Sequence, residues 1–189
     1  AIWDELTTTL VEGIRAKRSR SEVLGCLKCY EIIAGEIDAK DVATVGPTLF
    51  PELLTLARHG EDGALRRRAE TAFSSTVSAL TTLTGTEQKE MRDMLLPYLP
   101  TWLETVAIAL EGMPNPNNFD ALASTMAALT SLALAVQYFT KPAGEALMPA
   151  LSRGAIMFHT IAPVWAKYSE ETDHLDPGMD SDGDTVSFE

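Results

Sequence analysis

The stretch from Pro47 to Leu83 constrains the fold of this chain more than any other. It opens with an apolar segment carrying two prolines, Pro47-Thr-Leu-Phe-Pro-Glu-Leu-Leu-Thr-Leu-Ala57. A Gly60-Glu-Asp-Gly63 turn follows, and then a second amphipathic run that begins Leu65-Arg-Arg-Arg-Ala69. Two helices joined by so short a turn lie antiparallel, side by side. One such pair cannot bury its apolar face alone, so it needs further pairs stacked against it.

Apolar spacing predicts seven helical segments. The first carries Trp3, Leu6, Leu10 and Ile14 and ends in a basic run, Arg15, Lys17, Arg18 and Arg20, read as a solvated loop. Ser19 and Glu22 stand at capping-box spacing for the second, which turns Val23, Leu27, Tyr30 and Ile33 inward. The third spans Val42 to Arg58, where Pro47 and Pro51 predict a kink or a split start. The fourth places Leu65, Ala69, Phe73, Val77 and Leu80 on one face, with Gly85 as its stop. The fifth runs from Glu87 to Glu111 with Met91, Leu95, Trp102, Val106 and Leu110 inside and kinks at Pro97 and Pro100. After a Pro/Asn-rich loop at Gly112–Asn118, the sixth carries Phe119, Leu122, Met126, Leu129, Leu132 and Val136. Nearly all apolar or small, it is expected to be the most deeply buried helix. The seventh, from Ala143 to Tyr168, contains Pro149, Gly154 and Pro163, which can divide it in two.

Prolines therefore mark the third, fifth and seventh helices and spare the second, fourth and sixth. Pro51 and Pro97 are 46 residues apart, within the roughly 40–47-residue period of HEAT and armadillo arrays. Pro97 and Pro163 are 66 apart, so the last unit is stretched. The expected fold is all-α: a right-handed α-solenoid of HEAT repeats, about three and a half helix pairs. Residues 1–168 form the HEAT segment, with pairs over 1–37, 42–84 and 87–139 and a further helix over 143–168. A helical bundle with a coincidental proline pattern is the alternative.

The net charge of −12 is concentrated at one end. Residues 169–189 hold eight acids (Glu170, Glu171, Asp173, Asp176, Asp180, Asp182, Asp184 and Glu189) and no Lys or Arg, leaving −4 on the other 168 residues. This acidic, flexible inter-repeat segment argues against nucleic acid. It suits either a basic protein partner, met by fast and salt-sensitive attraction, or a plain solvated linker. No apolar run is long enough to span a bilayer, so no membrane partner is expected. The start at Ala1-Ile-Trp3 is the one expected of a chain cut from a longer protein.

Little in the sequence asks for chemistry. Cys26-Leu-Lys-Cys29 falls inside a helix rather than at its N-terminus, and no second pair or suitable His set completes a zinc site; two buried structural cysteines are expected. Asp180-Ser-Asp-Gly-Asp184 puts glycine at the fourth position, where a calcium loop of the EF-hand type needs it at the sixth. His59, His159 and His174 have no nucleophile at interpretable spacing. No catalytic, cofactor or metal residues are assigned, and no enzyme activity is expected. Of Arg66, Arg67 and Arg68, at least one is expected to pair with an acid of the neighbouring repeat, the others being solvated.

Two segments carry a likeness to a known family. One is Val45-Gly-Pro-Thr-Leu-Phe-Pro-Glu-Leu53 with the Arg66-Arg67-Arg68-Ala69 helix start behind it. The other is Asp176-Pro-Gly-Met-Asp180-Ser-Asp-Gly-Asp184-Thr-Val-Ser-Phe-Glu189, preceded by Ile161-Ala-Pro-Val-Trp165. Together they resemble the importin-β (karyopherin-β) superfamily of nuclear transport receptors, its importin-9 branch in particular. The resemblance covers the chain in patches and is loose from Met113 to Met157. It implies an internal receptor segment in cytoplasm and nucleus, wrapping basic cargo such as core histones or ribosomal proteins. Control by the GTP form of the small GTPase Ran would act largely through repeats outside this segment. The acids Glu170 to Asp184 would then be the cargo-facing ones. A HEAT scaffold of a phosphatase or chromatin complex is the alternative, and a small helical ligand-binding bundle a third.

Overall fold

A computed structural model describes residues 2–16, 19–36, 38–60, 62–111 and 119–172. Every element among them is helical. In chain order they are α1 (Ile2–Ala16), α2 (Arg20–Ala34), α3 (Ala39–His59), α4 (Gly63–Ser78), α5 (Gly85–Leu95), α6 (Leu99–Ala109), α7 (Phe119–Ala143) and α8 (Met148–Thr172). Single 3-10 turns follow α4 at Ala79–Thr81, α5 at Leu96–Tyr98 and α7 at Gly144–Leu147.

Side-chain caps fix where the helices begin. Ser19 Oγ accepts from Glu22 N at 3.1 Å at the head of α2. A capping box of Asp38 and Asp41 opens α3 three residues earlier than apolar spacing alone places it. Asp62 Oδ1 accepts from Leu65 N at 2.8 Å and starts α4. Gly85 does not stop α4, which has already ended at Ser78; with φ at +58° it turns the chain into α5.

The helices contact one another in two rows. In one row α1 meets α3, α3 meets α5 and α6, and α6 meets α8; in the other α2 meets α4 and α4 meets α7. Between the rows, α1 packs on α2, α3 on α4 and α6 on α7. Apolar side chains fill the space between rows, among them Leu27, Leu49, Leu53, Ala69, Phe73, Leu80, Met91 and Val106. A line of rings threads it. Tyr98 stands edge-on to Phe50 at 5.1 Å, Phe50 edge-on to Phe73 at 5.3 Å, and Phe73 meets Trp102, 5.5 Å away, which meets Phe139 at 6.3 Å. This line joins α3, α4, α6 and α7 through one continuous apolar seam.

Two further sequence expectations are corrected. The fifth segment is two helices, because Pro97 and Pro100 occupy first-turn positions, where the missing N–H is harmless, and so start new elements. The sixth, α7, is not the most buried helix. Its inward face is Thr125, Ala128, Leu132, Ala135 and Phe139, whereas Met126 and Val136 are exposed. Small residues at Ala128, Ser131 and Ala135 let α7 approach its neighbours closely, and that selects the face.

Candidate functional site

Polar and charged groups are concentrated where one helix pair meets the next. In the first row, Arg15 of α1 donates to Glu52 of α3 at 2.9 Å. Arg58 of α3 forks onto Glu104 of α6 at 2.6 and 2.8 Å. Arg153 of α8 reaches Glu111, just past α6, at 2.6 Å. Each of these junctions is thus bridged by an Arg–Glu pair. The basic run is accordingly not wholly solvated: besides Arg15, Arg20 at the start of α2 pairs with Asp62 at 2.5 Å. That contact holds the Asp62 carboxyl below its usual range and the Arg20 guanidinium above its own. Lys17 and Arg18 lie outside the described residues.

The second row uses the three consecutive arginines. Arg68 donates to Glu31 of α2 at 2.5 Å, Arg67 to Ser124 of α7 at 3.3 Å, and Arg66 folds back onto the Gly60 carbonyl at 2.8 Å. One helix start therefore reaches both neighbours, plus its own turn. Deeper in the α2–α4 seam, the buried Tyr30 hydroxyl meets Thr76 Oγ1 at 2.7 Å.

The α4–α7 seam holds the most concentrated polar group of the interior. Glu70 is only 5 % exposed. Ser74 Oγ donates to its Oε1 at 3.0 Å, Ser131 Oγ of α7 reaches the same oxygen, and the two hydroxyls lie 2.5 Å apart. Burial pushes the Glu70 carboxyl up to about 7, against the opposing pull of Ser131, Ser74 and the nearby Trp102 indole. That indole N–H, fully buried, lies close enough to favour the ionised carboxyl yet makes no hydrogen bond of good geometry. A cleft of about 440 Å³ flanks Glu70 on one side, lined by Arg58, Arg66, Arg67, Thr105 and Ser124 among others. A second cleft, about 260 Å³, opens on the other side between Thr71, Ser75, Ser78, Ala127 and Thr130. Sequence reading missed this cluster. Its one signal was Glu70 and Ser74 at i and i+4, directly beside the apolar stripe of Ala69 and Phe73.

Of the acids singled out in sequence, Glu170 and Glu171 fall in the last turn of α8, with side chains outside the description. Asp173, Asp176, Asp180, Asp182 and Asp184 lie outside the described residues, as does His174. Both cysteines are free thiols inside α2. Cys26 is half-buried, and burial together with the nearby Glu22 raises its pKa, the opposite of what a reactive thiolate needs. Cys29 is exposed, so the expectation of two buried cysteines fails for it: it stands on the outer side of its helix. His59 and His159 are both exposed. Among the described residues no three metal-ligating side chains cluster, and no helix is long and apolar enough to cross a membrane. An open apolar groove of about 620 Å³ runs between α7 and α8, along Met126, Leu129, Ala133, Phe158 and Ile161.

Compared with protein-family models, with curated proteins and with solved structures, the chain matches none.

Proposed function

We propose that this chain is a right-handed α-solenoid segment of HEAT-like pairs from a nuclear import receptor of the importin-β kind, whose acidic C-terminal residues attract basic protein cargo. The observation that carries the reading is the two-row neighbour order. Each helix of a row meets the next helix of that row, α1 to α3 to α6 to α8 and α2 to α4 to α7, and Arg–Glu pairs bridge α1 to α3, α3 to α6 and α8 to the end of α6. Stacked repeats have this order, because each unit touches only its neighbours. Arg68 on Glu31 supports it from the second row.

The transport function rests on the sequence resemblance and on charge. Eight acids and no Lys or Arg in the last 21 positions make a strong local attractor for Lys-rich protein, weakened by salt. Catalysis is not proposed, and no nucleic-acid or membrane partner is. The mechanism is non-covalent: long-range capture by the acids, then wrapping by a curved stack in which binding energy is spread over many weak contacts. Ran would act through further repeats.

Fluorescence anisotropy with a labelled core-histone dimer, from low to physiological salt, tests this. The full chain is expected to bind in a salt-sensitive way, and a chain ending at Tyr168 to bind at least about tenfold more weakly at low salt. Binding by neither, even at low salt, would overturn the cargo reading and leave a helical scaffold of another assembly. Equal binding by both would move the site away from residues 169–189.

A further inference from the structure

We propose that Glu70, with the hydroxyls of Ser74 and Ser131, is a proton-linked latch between α4 and α7, closed while the carboxyl is protonated and loosened when it ionises. Three oxygens meet there in a triangle: Glu70 Oε1 with Ser74 Oγ, Ser74 Oγ with Ser131 Oγ, and Ser131 Oγ with Glu70 Oε1. Each contact needs a hydrogen between its two oxygens. The two serines bring two hydrogens for three contacts, and the third is the carboxylic proton.

Loss of that proton leaves one contact with lone pairs facing lone pairs, and a negative charge in an apolar seam. Among the described residues no cation pairs with Glu70. The groups that face it from each side do not offset its charge by titrating. From α3 comes Arg58, already forked onto Glu104 of α6; from α4 itself come Arg66, on the Gly60 carbonyl, and Arg67, on Ser124 of α7. From α6 come the neutral Trp102 and Thr105, and from α7 the neutral Ser124, Thr130, Ser131, Leu134 and alanines. Apart from Glu70 itself, the second cleft has no ionisable lining residue. Ionisation is therefore relieved by water, and the clefts on either side have room for several molecules at roughly 30 Å³ each. Water from these clefts reaches the oxygen held between the two serines only when their contact opens, and that parts α4 from α7. The ordinary value of a carboxyl is 4.5 and that of Glu70 about 7, so this happens near neutral pH. The neighbouring α2–α4 seam carries a neutral Tyr30–Thr76 pair at the equivalent depth and stays shut. The angle between the second and third helix pairs thus becomes the pH-responsive joint of the molecule. As a property of the α4–α7 contact, the latch does not depend on the transport reading.

Helix-resolved amide hydrogen exchange on the full chain and on Glu70→Gln tests it, since glutamine keeps the shape and never ionises. At pH 8 the amides of Glu70–Val77 and Ala128–Ala135 are expected to exchange roughly tenfold or more faster in the natural chain than in the variant. Those of Leu27–Ala34 should exchange equally, and at pH 4.5 the two proteins should converge. Equal rates at pH 8, or an acceleration shared by every helix, would overturn the latch. If Glu70→Gln does not fold, Ser131→Ala serves instead. It removes the α7 side of the triangle and two of its three contacts, so the amides of Glu70–Val77 and Ala128–Ala135 are expected to exchange faster already at pH 4.5, with those of Leu27–Ala34 unchanged. Natural protection of the α4–α7 amides at pH 4.5 contradicts the proposal.

Discussion

Phe73 stands in the middle of five rings that run from Tyr98 to Phe139, and it touches two of them directly, Phe50 and Trp102. It is 1 % exposed. Truncation to alanine leaves a cavity at the meeting point of α3, α4 and α6, which costs about 3–5 kcal/mol. Arg58→Ala, by contrast, breaks the forked pair with Glu104 but leaves the Glu104 carboxylate in water, so it is expected to cost less than about 1 kcal/mol. Urea unfolding of the two variants checks that order; a larger loss at Arg58 would mean that the ion pairs, not the rings, hold the helices together. Glu70 gives a different kind of prediction. The unfolded chain releases its proton near 4.5, the folded one only near 7, so the folded state binds more protons between these values. Its stability is therefore highest below 4.5 and declines as pH rises to about 7, by up to roughly 3 kcal/mol. Melting temperatures of Glu70→Gln should lack that decline and exceed those of the natural chain at pH 8. A parallel decline in both would contradict the assignment.

Among the elements, α4 was the most legible in sequence. Leu65, Ala69, Phe73, Val77 and Leu80, placed on one face by spacing, are all buried. Alternating polar positions fixed its register, as they did for Val23, Leu27 and Tyr30 of α2. In α7 almost every position is apolar or small, so no polar face marks the outside, and its register followed contact with α4 rather than composition. The prolines divided by position. Pro47 and Pro51 sit inside an unbroken α3. Both are exposed, as is Ala43, so the carbonyls of Ala43 and Pro47 that lose a donor can bond water instead. Pro97 and Pro100 stand at helix starts and cut the fifth segment in two. Glu70 was illegible for a simpler reason. A glutamate beside an apolar stripe reads as a solvated residue until a second helix is known to cover it.

At the scale of the whole molecule, neighbour order decides what kind of object this is. Arg15, Arg58, Arg153, Arg67 and Arg68 each act across a seam between helices not adjacent in sequence, and their partners could not be picked out from spacing alone. What could be read was the contact of α3 with α4, from the turn at Gly60–Gly63; the alternation of prolines does not carry through, since α7 holds Pro142. In a stack, damage stays local, because each pair is stabilised by itself and by its immediate neighbours. In a bundle around one common core, damage anywhere lowers every helix together. Phe139→Ala separates the two. It removes the last ring of the seam, against Trp102, at the α6–α7 contact. Native-state hydrogen exchange, read helix by helix in the natural chain and in this variant, is the direct measurement. A stack predicts protection lost in α6, α7 and α8 and retained in α1 and α2; an equal loss in all of them would contradict it.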